Sequence, residues 1–147
     1  MRNLLLAGLL IVHASAHADS QFFIEGSIKK VVDGDSLYLR LPRGEIEVRL
    51  ASIDAPETAK PGKPGQPFSM ASMITLKKLA PEGAQASGIC FERDLYGRAV
   101  CSLVVRGKEI AKEQLRSGYA WANKAAGKKF VRTSDILDIE AEARIAK

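Results

Sequence analysis

From Ile24 to Ser52 apolar and polar residues alternate with a period of two, the pattern of half-buried strands. Leu37, Leu39 and Leu41 fall on one face, with Ser36, Tyr38 and Arg40 on the other. Ile46, Val48 and Leu50 alternate in the same way with Glu45, Glu47 and Arg49. Asp33-Gly34 and Pro42-Arg43-Gly44 are turn sequences between these runs, so a three-strand meander is predicted. Residues 58–67 hold Pro61, Pro64 and Pro67 with Lys60 and Lys63 among them, which reads as a basic irregular loop. The period then becomes helical from Ser69 to about Leu79, with Met70, Met73, Ile74 and Leu76 expected to face inward. Ala86 to Glu92 and Ala99 to Val105 read as a hairpin whose tip is Asp94-Leu95-Tyr96-Gly97, Gly97 supplying the positive φ of the turn. A short helix from about Glu109 to Ser117 is closed by Gly118, and a last helix begins near Ser134 with Ile136, Ile139 and Ala143 inward. Three strands, a helix, two strands and further helices is the order of a five-stranded OB-type β-barrel with about three flanking helices, an α+β domain. Such barrels often bind oligonucleotides, but a fold by itself does not give a function.

Composition changes this picture at one end of the chain. Of the 147 residues 46% are hydrophobic and 27% charged, the balance of a single globular domain. Arg2, the apolar run Leu4 to Val12 and Ala16-His17-Ala18 form the basic start, apolar stretch and small-x-small site of a secretory signal peptide. The run is shorter than the ~20 residues a membrane-spanning helix needs. Residues 1–18 are therefore expected to be removed, leaving 19–147 as a mature domain that is secreted or periplasmic and not held in a membrane.

Cleavage leaves 21 Lys/Arg against 17 Asp/Glu, a net charge of +4 that permits a polyanionic partner without requiring one. It also removes His13 and His17, the two histidines of the chain. Without histidine there is no Ser-His-Asp triad, no Cys-His pair and no imidazole base. Two cysteines are too few for a usual zinc site. Catalysis is confined to Asp, Glu, Lys, Arg, Tyr, Ser or Thr, and any metal to a hard cation bound through oxygen. Cys90 and Cys101 lie about equally far from the hairpin tip, one on each arm, and export places them where a disulfide between them can persist.

Four carboxylates sit at strand ends in two short segments, Asp33 and Asp35 in VVDGDS and Asp54 and Glu57 in SIDAPE. A meander folds these ends toward one rim of the barrel, and clustered carboxylates repel unless a cation or an arginine neutralises them. Several oxygens converging on one point fit a hard ion, calcium above all. Taken alone, the DGD sequence is more often only a turn. Arg49 lies on the polar face of the third strand and Arg98 follows the Gly97 turn. Each arginine alone reads as a solvated surface charge; beside the acids they suggest phosphate clamps, because a guanidinium matches phosphate oxygens bidentately.

VVDGDS (Val31 to Ser36), VRLASIDAPET (Val48 to Thr58) and DLYGR (Asp94 to Arg98) resemble, in order and at fitting intervals, the three signature segments of the staphylococcal nuclease family. The likeness runs from about Ile24 to the end of the chain. It implies a Ca²⁺-dependent nuclease acting on DNA and RNA. Asp35 and Asp54 would ligate the ion with the backbone carbonyl of Ala55, and Asp33 would support it from behind. Glu57 would orient or deprotonate the attacking water, and Arg49 and Arg98 would bind the scissile phosphate. One departure in chemistry is Ala55, which stands where the founding enzyme has threonine; a backbone ligand survives that change. Tyr96 fits the tyrosine before the family's turn glycine. The sequence YAWANK after Gly118 has no clear match for the family's nucleotide-covering tyrosines, and Trp121 either stacks a base or packs in the core. A monomer is expected.

Two other readings use the same residues. One is a non-catalytic nucleic-acid-binding module on the same barrel; the other is an exported barrel that binds saccharide, peptide or protein, with the acids serving only in turns. Export with cleavage after Ala18 predicts that protein recovered from its native envelope begins at Asp19 in a mass spectrum. A chain still beginning at Met1 and held in the cytosol contradicts it.

Overall fold

The computed structural model describes residues 21–146, so the expected signal peptide at residues 1–18 lies outside the described residues. The elements run β1 (Phe22–Val31), β2 (Ser36–Leu41), β3 (Gly44–Leu50), β4 (Ile53–Asp54), α1 (Ser69–Leu79), β5 (Gln85–Arg93), β6 (Ala99–Val105), β7 (Lys108–Glu109), α2 (Ile110–Arg116), β8 (Trp121–Ala122), α3 (Ala125–Lys128) and α4 (Asp135–Ile145). The expected meander and hairpin are both present, and antiparallel pairing of β1 with β5 joins them. Parallel pairing of β3 with β6, through Val48↔Ala99, Arg49↔Val100 and Leu50↔Cys101, closes five strands into a barrel.

The period-two pattern fills that barrel. Leu37 and Leu39 of β2, Val48 and Leu50 of β3 and Leu103 of β6 are fully enclosed with Ile28 of β1. Each such side chain contributes about 1.5–3 kcal/mol of burial, so slipping β2 by one residue would lose both leucines and turn Ser36 away from its partners. Cys90 and Cys101 are register partners across β5 and β6 and are joined as a disulfide. Among the described residues no helix is long and apolar enough to cross a membrane.

The helices depart from the periodic reading in two places. In α1 the buried residues are Ser69, Ser72 and Leu76, while Met70 and Ile74, expected inward, are exposed. The reason is close approach: a Cβ at Gly34 would lie 1.9 Å from Ser72 Oγ and 2.7 Å from the Ala55 Cβ, so the turn before β2 sits on α1 where a methionine has no room. In α4 Ile136 and Ile139 are buried as expected, but the third buried position is Glu140 and Ala143 is only half-buried. Glu140 accepts the Ala122 N–H at 3.1 Å and pairs with Lys124, so it anchors β8. The two-residue strands β4 and β8 pair with each other, Ile53↔Ala122 and Asp54↔Trp121, and are too short to leave a periodic signal.

Gly34→Ala should therefore destabilise the fold by about 1–3 kcal/mol, the usual cost of forcing a methyl into a packed contact. Urea unfolding checks this, and an unchanged midpoint would mean that the turn does not rest on α1 as described.

Candidate active site

The turn between β1 and β2 presents two acids at the barrel rim. Val32 N–H bonds to Ser36 O at 2.8 Å, and the Asp33 carboxylate accepts the Asp35 N–H at 3.1 Å, which folds the turn back on itself. Asp35, 2% exposed, is held on several sides. Its carboxylate accepts Ser36 Oγ–H at 2.9 Å and the Ala55 N–H at 2.8 Å. Its carbonyl accepts Leu50 N–H at 2.8 Å, which fixes the start of β2 against the end of β3. Burial pushes the Asp35 carboxyl up to about 7, although Arg49 pulls the other way.

Arg49 is the register partner of Ser36, so pairing of β2 with β3 delivers its guanidinium to the acids. It lies 3.3 and 3.4 Å from the two Asp35 oxygens and 2.5 Å from Asp54 Oδ1, bridging a buried carboxylate to a half-exposed one. Burial works against its charge, but Asp35 and Asp54 more than compensate and raise its proton affinity.

Arg98 arrives from the hairpin tip. Asp94 accepts the backbone N–H groups of Tyr96 at 2.9 Å and Arg98 at 3.0 Å, and its second oxygen accepts Arg98 Nε–H at 2.7 Å. Gly97, at φ 82°, lets the chain reverse between them. Burial opposes ionisation of Asp94, yet the hydrogen bonds from Arg98 and Tyr96 hold its carboxyl below the ordinary range. Arg98 Nη1 also reaches Ser36 Oγ at 3.4 Å, so Ser36 links this arginine to Asp35. The Tyr96 ring lies 5.4 Å from the Arg98 guanidinium.

Glu57 stands on the loop after β4, where its N–H donates to Gln66 Oε1 at 2.8 Å and its carbonyl accepts Gln66 N–H at 2.9 Å. Lys60 Nζ donates to its carboxylate at 2.5 Å, which with the nearby arginines holds the Glu57 carboxyl below its usual value and keeps it anionic. Arg49, Glu57 and Arg98 line one cavity of about 590 Å³, which Tyr96, Asn123 and Phe130 also line.

Of the residues expected at this rim, Arg49, Glu57, Tyr96 and Arg98 line the cavity, Asp35 and Asp54 bond to Arg49 at its edge, and Asp33 and Ala55 bond to Asp35 behind it. Trp121 lines a second, smaller cavity with Phe68 and Tyr119. Pattern reading missed Ser36, Gln66 and above all Gln114, which is fully buried in α2. Gln114 Nε2 donates to Gly34 O at 3.1 Å and to Ser72 O at 2.9 Å, pinning the acidic turn from beneath. Two carbonyls at one end of the amide require its nitrogen there. A glutamine among the apolar residues of a short helix was the one available signal.

The donors at this rim suit a hard cation. They are oxygens without a soft ligand, and the Arg49 guanidinium already bridges the two carboxylates where positive charge is needed. Among the described residues no three His, Cys, Asp or Glu side chains gather at metal-holding distance, so main-chain carbonyls and water would complete such a coordination shell.

Comparison with known proteins identifies the family. The family model described as "Staphylococcal nuclease homologue" matches residues 47–147. The "Probable endonuclease lcl3" of Botryotinia fuckeliana is 31% identical over 81% of this chain and 54% of its own length. Endonuclease Htp3 of Saprolegnia parasitica is 31% identical over 82% of the chain and 66% of its own length. A micrococcal nuclease of Shigella flexneri is 30% identical over 98% of the chain and 80% of its own length. The chain thus spans about half to two thirds of the first two of these relatives. A barrel closed by β3 and β6, two arginines and a glutamate on one cavity, and a family match across most of that rim lead to one assignment: the chain belongs to the staphylococcal nuclease family.

Proposed function

We propose that the protein is an exported, calcium-dependent nuclease that hydrolyses phosphodiester bonds of DNA and RNA. The observation that carries this reading is the shared cavity of Arg49, Glu57 and Arg98, with Asp35 and Asp54 bonded to its edge. Asp35, Asp54 and the Ala55 carbonyl would hold the Ca²⁺, with Asp33 bracing Asp35 through its backbone N–H. When bound, the ion supplies Lewis-acid stabilisation of charge on phosphate oxygen.

The chain's own groups perform the remaining chemistry. Arg98 and Arg49 engage the non-bridging oxygens of the scissile phosphate through N–H groups beyond those committed to Asp94, Asp35 and Asp54. Their charges are fixed before the substrate arrives, so little reorganisation is needed as charge grows in the transition state. Glu57, kept anionic by Lys60, accepts a proton from water as the water oxygen bonds to phosphorus. The P–O5′ bond breaks and the leaving oxygen takes its proton from solvent water, which leaves a 3′-phosphate and a 5′-hydroxyl. Tyr96, beside Arg98, faces the nucleoside from the cavity rim. These contacts are to phosphate, so base specificity should be low.

Glu57→Gln keeps shape and hydrogen bonding but removes the base. Cleavage of single-stranded DNA in Ca²⁺ should fall by roughly 10²–10⁴-fold, while affinity for a nucleoside 3′,5′-bisphosphate, measured by calorimetry, stays within a few-fold because both arginines remain. A variant as fast as the parent would mean that Glu57 is not the base, and a parent that leaves the DNA uncut would return the non-catalytic binding module to first place.

A further inference from the structure

The second cavity has an unusual lining. It measures about 250 Å³ and is formed by Pro56, Phe68, Gly118, Tyr119 and Trp121, so three aromatic residues and a proline surround one small space. Phe68 is 73% exposed and Trp121 42% exposed. Aromatic rings at the surface contribute little to the fold, and gathered together they mark a contact site.

Phe68 is also held there at a cost. Its backbone sits at φ 64°, ψ 2°, the left-handed region that a bulky residue rarely adopts. Such strain persists where surrounding bonds over-determine it, and it concentrates at ligand contacts. The bonds are present: Ser72 N–H donates to Phe68 O at 2.9 Å, and Ser69 N–H to Gln66 O at 3.2 Å. Ser72 Oγ–H then donates to Tyr119 O at 2.8 Å, tying the far side of the cavity to the same helix.

The two cavities share a wall one chain segment wide. Glu57 lines the large cavity and its chain neighbour Pro56 lines the small one. Asp54, which accepts a hydrogen bond from Arg49 in the large cavity, is the register partner of Trp121. Residues directly opposite on antiparallel strands project to the same face, so the indole is the cross-strand neighbour of Asp54. Gln66 bonds both ways to Glu57 two residues before Phe68, which fixes the water-activating loop and the exposed ring relative to each other.

Resting on the nuclease reading, we propose that Phe68 and Trp121 form a second nucleobase subsite. It takes the base of the nucleotide on the opposite side of the scissile phosphate from the nucleoside held in the large cavity. A polynucleotide whose phosphate lies on Arg49 and Arg98 runs over the Asp54–Glu57 wall, and its next unstacked base meets the aromatic pair. A base needs no particular hydrogen bonds to stack there, because every base has an apolar face. The basic loop carrying Lys60 and Lys63 follows Glu57 and suits a polyanion leaving the clamp. The ligand is therefore an oligonucleotide at least two nucleotides long, rather than a mononucleotide.

Trp121 is the single tryptophan of the chain, so its emission reports this cavity directly. Glu57→Gln protein in Ca²⁺ is titrated with a nucleoside 3′,5′-bisphosphate and, separately, with a short oligothymidylate, and both titrations are repeated with Phe68→Ala added. The oligothymidylate should quench Trp121 more strongly than the bisphosphate does. Phe68→Ala should weaken oligothymidylate binding about 5- to 150-fold, the range for one stacked base, and leave bisphosphate binding unchanged. Because Phe68 is exposed, this variant keeps the fold, which the bisphosphate titration verifies. Equal oligothymidylate affinity with and without Phe68 overturns the subsite while the nuclease reading stands. Loss of concentration-dependent self-association in Phe68→Ala, with unchanged oligonucleotide affinity, would make the patch a protein contact instead. If neither ligand binds the parent, the nuclease reading and the subsite fall together.

Discussion

The Asp35 carboxylate is almost wholly removed from water, and the structure around it is arranged to keep that tolerable. Burial favours its neutral form, so an anion there requires donors and a cation close by. Ser36 Oγ and Ala55 N–H supply the donors, and Arg49 supplies the charge. Removing one partner from a buried ion pair typically costs about 3–5 kcal/mol, so strand register and site geometry are tied together here. Arg49 reaches Asp35 only if β2 and β3 pair with Ser36 opposite Arg49. The same register puts Leu37 and Leu39 in the barrel. Fold and chemistry are specified by one alignment of two strands.

From that contact the rim is built outward. Arg49 carries the link on to Asp54, and Asp54 to β8 through the short β4 pairing. Ser36 carries it to Arg98 and so to the hairpin tip, where Asp94 organises both backbone and side chain. Beneath the turn, Gln114 and Ser72 hold Gly34 at a distance that excludes even a methyl group. A site assembled from strand ends and loops is mobile unless such supports fix it. The closed barrel and the Cys90–Cys101 bond, one residue pair from Leu50, supply the rigid base.

Much of this was legible in the sequence because strand periodicity is local. Leu37, Leu39, Val48 and Leu50 announce their strands, and the hairpin arms place Cys90 opposite Cys101 without further knowledge. The clustering of Asp33, Asp35, Asp54 and Glu57 at strand ends likewise follows from where turns fall. The inner face of α1 was not legible. Hydrophobic periodicity chose Met70 and Ile74, whereas the chain buries Ser69 and Ser72, the latter because a polar network with Gln114 lies below. Partners 42 residues apart leave no periodic trace. The pairing of Asp54 with Trp121, and the exposed ring of Phe68, depend in the same way on contacts between distant segments and on a backbone conformation that residue type argues against.

A rim of acids and arginines that cleaves nucleic acid with the help of a hard cation must show that dependence on its substrate. Incubating the mature protein with supercoiled plasmid DNA in Ca²⁺, in Mg²⁺ and in EDTA, and resolving the products on a gel, tests it most directly. Nicking and then degradation are expected in Ca²⁺, and intact plasmid in EDTA. Plasmid left intact in Ca²⁺, or degraded equally in EDTA, would contradict it.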